Sequence, residues 1–133
     1  MTYQKWIDRH SKKLQNILKK LSNLSDDEVI EYFRFENMIT SEPDFCYLYK
    51  ENKKCHDIAY LNCYLCACPY FVFDDKGLEQ IADRTLYSRC SINASKGKEF
   101  ISENAIHQDC SDCTIPHDER CIKKHFNRDR VSV

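Results

Sequence analysis

Nine cysteines and five histidines dominate what this chain of 133 residues could do chemically, and every cysteine falls between Cys46 and Cys121. The densest run is Cys63-Tyr64-Leu65-Cys66-Ala67-Cys68-Pro69. A C-x-x-C turn lets two thiolates meet one ion while backbone amides stabilise the sulfurs, as in zinc and iron–sulfur knuckles. Cys68, two residues after Cys66, can complete that site or feed a neighbouring one. Cys110-Ser111-Asp112-Cys113 repeats the spacing and leads into Pro116-His117. Two knuckles a long loop apart are a far more specific metal signal than either alone. With Cys46, the adjacent pair Cys55-His56, and Cys90, the candidate ligands become Cys46, Cys55, His56, Cys63, Cys66, Cys68, Cys90, Cys110, Cys113 and His117. One zinc ion leaves too many thiols over, so the count points to about two zinc ions, or alternatively to an iron–sulfur cluster beside a mononuclear site. The mixture of Cys and His suits zinc, whereas Cys68-Pro69 echoes the Cys-Pro that ends many ferredoxin motifs.

Disulfides are the weaker account of so many thiols. An odd number leaves one unpaired, and the opening Met1-Thr2-Tyr3-Gln4-Lys5-Trp6 has no apolar export signal, so the expected compartment is the reducing cytoplasm. His10, His107 and His125 read as surface or packed histidines, and Cys121 as a buried thiol, although Cys121 and His125 share a helical face at i,i+4.

The elements that must position these ligands divide the chain near residue 45. Leu14, Ile17, Leu18 and Leu21 recur at helical spacing in a first amphipathic helix. Ser25-Asp26-Asp27-Glu28 is a capping box opening a second, which continues through Val29, Ile30, Tyr32, Phe33, Phe35 and Met38 and stops at Ser41-Glu42-Pro43-Asp44. Residues 1–24 carry six basic side chains against one acidic, and residues 25–52 two against eight. This segregation fits two complementary helices of a hairpin over residues 1–44, packed on a cysteine-rich metal-binding domain over 45–133. Beyond Cys46 the signals are short: a helix from Leu78, Ile81, Ala82 and Thr85, a strand at Tyr70-Phe71-Val72-Phe73, and a terminal helix on Cys121, Ile122, His125 and Phe126. The expected fold is a small metal-stapled α+β or irregular cysteine-rich domain, zinc-ribbon or knuckle-like, with an N-terminal α-helical hairpin.

Composition narrows the function. Gly77 and Gly97 are the only glycines, so no Gly-rich phosphate loop is possible, and no nucleophile and base assignment is simpler than ligand duty. An enzyme is not expected. A formal net charge of -1 disfavours nucleic acid, and no apolar run reaches the length of a membrane span. The favoured class is a metal-binding accessory or protein-interaction module with an unidentified protein partner. An iron–sulfur electron carrier or redox sensor is the alternative, and a zinc-ribbon-like nucleic-acid binder comes third.

The strings Asn62-Cys63-x-x-Cys66-x-Cys68-Pro69-Tyr70 and Asp109-Cys110-Ser111-Asp112-Cys113-Thr114-Ile115-Pro116-His117, set among Cys46, Cys55-His56 and Cys90, resemble the prokaryotic cysteine-rich small domain family. That family is described as metal-binding and is found alone and appended to larger proteins, some in cobamide biosynthesis. The resemblance spans about residues 45–126 and implies that Cys63, Cys66, Cys68, Cys110, Cys113 and His117 are ligands. It names no reaction, and neither Cys121 nor the N-terminal helices fall within its pattern.

Overall fold

The computed structural model describes residues 3–128. Its first helix, α1 (Tyr3–Lys20), buries Ile7, His10, Leu14, Ile17 and Leu18 along one stripe and leaves its lysines to water. Lys19 and Lys20 sit in the last turn, where they oppose the negative end of the helix dipole. Ser25 then caps α2 (Asp26–Tyr32) with both halves of the capping box formed. Its hydroxyl accepts from the Glu28 amide at 3.2 Å, and the Glu28 carboxylate accepts from the Ser25 amide at 3.0 Å.

The second helix does not run through to Met38 as periodicity predicts. It breaks after Tyr32, Arg34 is extended (ψ 144°), and a separate α3 (Phe35–Ser41) follows. The reason is tertiary: the Phe33 carbonyl accepts from the Cys63 amide at 2.8 Å, and the Phe35 amide donates to the Leu61 carbonyl at 2.9 Å. Arg34 and Asn62 thereby form an antiparallel bridge. A continuous helix would spend those backbone groups on itself, whereas the break uses them to hold the strand leading into the first knuckle. The two charge blocks do meet, through Lys20 Nζ to Glu42 Oε2 at 2.6 Å and Lys13 Nζ to the Asp44 carbonyl at 2.9 Å.

After a 3-10 turn at Tyr47–Glu51, closed by Asn52 in the left-handed region (φ 55°), an irregular stretch carries the first knuckle to the sheets. β1 (Phe71–Phe73) pairs antiparallel with β4 (Ser88–Cys90). β2 (Glu79–Ile81), β3 (Arg84–Leu86), β5 (Lys98–Ile101) and β6 (Ala105–Asp109) form a second sheet in the order β2-β3-β6-β5, with β3 parallel to β6. The helix expected on Leu78, Ile81, Ala82 and Thr85 is therefore a β2–β3 hairpin. Its turn places Ala82 at φ 55°, and the four-residue coincidence with a helical period is too short to decide between the two states. The chain after Cys46 is correspondingly less irregular than its weak periodicity suggests, because β2 and β5 are exposed on both faces and show no alternation to read.

A 3-10 turn at Ile115–His117 leads into α4 (Glu119–His125), capped by Asp118, whose side chain accepts from the Arg120 amide at 3.0 Å. The molecule is thus a small α+β domain. One core cluster joins Leu14, Leu18, Val29, Phe33 and Met38 from the helices to Leu61, Tyr64 and Leu65 around the knuckle and Ile122 from α4. Phe33 and Met38 are 0 % exposed. No helix among the described residues is long and apolar enough to cross a membrane.

Candidate metal centre

All nine cysteines are free thiols. Among the described residues, one set of three metal-type donors has all its ligating atoms within 4.8 Å of one another: Cys55, His56 and His117. They come from both ends of the cysteine-rich stretch, and backbone hydrogen bonding brings them together. The His117 carbonyl accepts from the Asn62 amide at 3.2 Å, and the His117 ring Nδ1 donates to the Asn62 carbonyl at 2.9 Å. With Nδ1 as the donor, the lone pair of the neutral ring lies on Nε2, which stands 3.5 Å from Cys55 Sγ. Burial pushes the His117 ring below its ordinary pKa of 6.5, and the nearby His56 adds to this. A neutral imidazole, anchored through one nitrogen and aimed at a thiol through the other, is the arrangement a metal-ligating histidine takes.

Three more thiols stand beside this set. Burial first, and then the charges of Cys63 and Cys46, lift the Cys55 thiol to about 11. The Cys66 thiol donates to Cys63, which holds Cys63 below its usual range and Cys66 well above, so Cys63 ionises first. A turn closed from the Cys66 amide to the Cys63 carbonyl at 3.4 Å gives this knuckle its shape. Cys46 opens the Tyr47–Glu51 turn, and the amides of Leu48 and Tyr49 point at its sulfur. The Tyr49 hydroxyl, closed off from solvent, is held protonated by burial and by Cys63 beside it.

Cys68 parts company with Cys63 and Cys66. Together with Cys90, Cys110 and Cys113 it lines a cavity of about 40 Å3 on the sheet side of the molecule. Burial, followed by the charges of Cys113, Cys68 and Cys90, pushes the Cys110 thiol up to about 11.

The other candidates take no part in either group. His10 is buried between Trp6 and Phe45, His107 stacks on Tyr87, and His125 Nε2 lies 2.6 Å from the Tyr70 hydroxyl. Cys121 packs in the apolar core, and its thiol and His125 Nε2 both meet the Tyr70 hydroxyl. Two contributors escaped the sequence reading. Asn62 stands in the knuckle string, but its work as an anchor for His117 needs contacts across 55 positions of chain. The amides that point at Cys46 and Cys68 follow from local turns that a lone cysteine does not announce.

No family model, curated protein or solved structure matches this chain.

Proposed function

We propose that this chain is a metal-binding accessory module of knuckle type, in which Cys55, His56 and His117 share an ion with a fourth donor from the adjoining Cys46, Cys63 and Cys66 thiols. The observation that carries the reading is His117. A buried imidazole that gives Nδ1–H to a main-chain carbonyl and turns Nε2 toward a thiol is preorganised for a borderline metal. Mixed nitrogen and sulfur donors suit zinc, and they speak for zinc over an iron–sulfur cluster at this place. The two cysteine strings that resemble the cysteine-rich small domain family support the same reading. The ion would tie the segment at 46–66 to the segment before α4, and the surface so fixed is available to a protein partner. In a chain this rich in loops such a tie contributes directly to folding.

Long-range proton–nitrogen correlation of the histidine rings in the zinc-loaded protein tests this. The expected result is His117 locked with its proton on Nδ1 and an Nε2 resonance that moves when zinc is replaced by cadmium. A His117 Nε2 that ignores the metal and titrates as a free imidazole overturns the proposal.

A further inference from the structure

We infer that Cys68, Cys90, Cys110 and Cys113 form a second, all-thiolate centre that binds a single tetrahedral metal ion, separate from the Cys55–His56–His117 centre and independent of it. Three segments remote in sequence, around Cys68, around Cys90 and at the Cys110–Cys113 knuckle, deliver these sulfurs to one cavity, and regular structure does the delivering. The β1–β4 pairing sets Phe71 opposite Cys90, which brings the segment just after Cys68 alongside the end of β4. The Cys90 amide donates to Gln108 Oε1 at 3.1 Å, and the Gln108 amide donates to Ser88 Oγ at 2.7 Å, so β4 is locked to the end of β6. The second knuckle leaves β6 at that point. Its turn is closed by the Cys113 amide on the Cys110 carbonyl at 3.0 Å and by the Ser111 amide on Asp109 Oδ1 at 2.9 Å.

The chemistry of the lining selects the ligand. Besides the four cysteines the cavity is walled by groups such as Phe71, Ile92, Ile115 and Pro116, and none of its lining residues carries a charged side chain. Thiolates gathered there have no cationic side chain to balance them, and their local help comes from backbone: the amides of Tyr70 and Phe71 point at the Cys68 sulfur, as in a metal knuckle. Four sulfurs with an uncharged apolar wall favour a soft or borderline cation. Four sulfurs around one cavity match the ligand number of a single tetrahedral ion. The division of Cys63-x-x-Cys66-x-Cys68 between two centres explains why the third cysteine of that string follows so closely. The chain turns away from one ion and reaches the next within two residues.

Differential alkylation of the zinc-loaded full chain, read by mass spectrometry, tests the assignment without a mutation. The expected result is that Cys68, Cys90, Cys110 and Cys113 are protected together and become reactive together as a chelator removes one equivalent of zinc. Cys110→Ser, at an exposed position, is expected to lower the bound zinc by one equivalent and leave the His117 signal unchanged. Four thiols that react singly in fully loaded protein, or Cys110→Ser protein that keeps its whole complement of zinc, overturn the proposal. So does recovery of these cysteines as disulfides from protein purified without oxygen.

Discussion

At the scale of single residues, the divide between thiols that line a shared cavity and thiols packed in the core is the most discriminating feature. Cys113 and Cys121 are both buried, yet Cys113 lies in the sulfur-lined cavity while Cys121 sits in the apolar core with Ile122 and Tyr64. Cys113→Ser is expected to remove an ion, because a serine hydroxyl is a poor substitute for a thiolate. Cys121→Ser is expected to keep the full metal content and lower stability modestly, as for a small buried hydrophobe made polar. Elemental analysis of the two purified variants checks this, and equal loss of metal from both contradicts the assignment. Spacing alone made the candidate donors legible, since two C-x-x-C strings and a Pro-His pair are local patterns. The grouping of those donors in space was not legible. Whether Cys68 joins Cys63 or Cys90 depends on the β1–β4 register, which short strands do not reveal in advance.

At the scale of elements, the break between α2 and α3 matters more for the site than the helices themselves. The apolar spacing from Val29 to Met38 supports a continuous helix, and local propensity gives no reason to interrupt it at Phe33 and Arg34. The interruption comes from residues 61–63, whose backbone groups pair with Phe33 and Phe35 and so seat the first knuckle. Phe33 locks this junction. It is fully buried and packs edge-on against Tyr64 with ring centroids 5.3 Å apart, and against Phe45 at 6.3 Å. Phe33→Ala is expected to cost about 3–5 kcal/mol, as for a buried core phenylalanine. Denaturant unfolding of the zinc-loaded protein measures it, and a loss under about 1 kcal/mol would show that the junction collapses around the cavity without strain. The helical stripe of α1 and the capping box of α2 were legible because each is a pattern within a few turns of chain.

At the scale of the whole molecule, one core cluster joins the N-terminal helices to the first knuckle and to α4, while the small sheets hang from it around the second group of sulfurs. The four-stranded sheet presents Phe100 and Ile101 on an edge strand largely exposed to water, so it draws little stability from apolar burial. Under the proposed assignment metal ions supply the cross-links that such a sheet lacks, and helix packing supplies the rest. The broad class, helices followed by a cysteine-rich α+β body, followed from composition and spacing. The two sheets did not, since strands of three to five residues with exposed faces carry almost no periodic signal. Native mass spectrometry of the full chain, purified without oxygen, reads the metal content outright. The expected mass carries two metal ions per chain, which depart in separate steps under increasing chelator. The bare mass of the chain, with all nine thiols open to alkylation in the folded protein, would contradict that expectation.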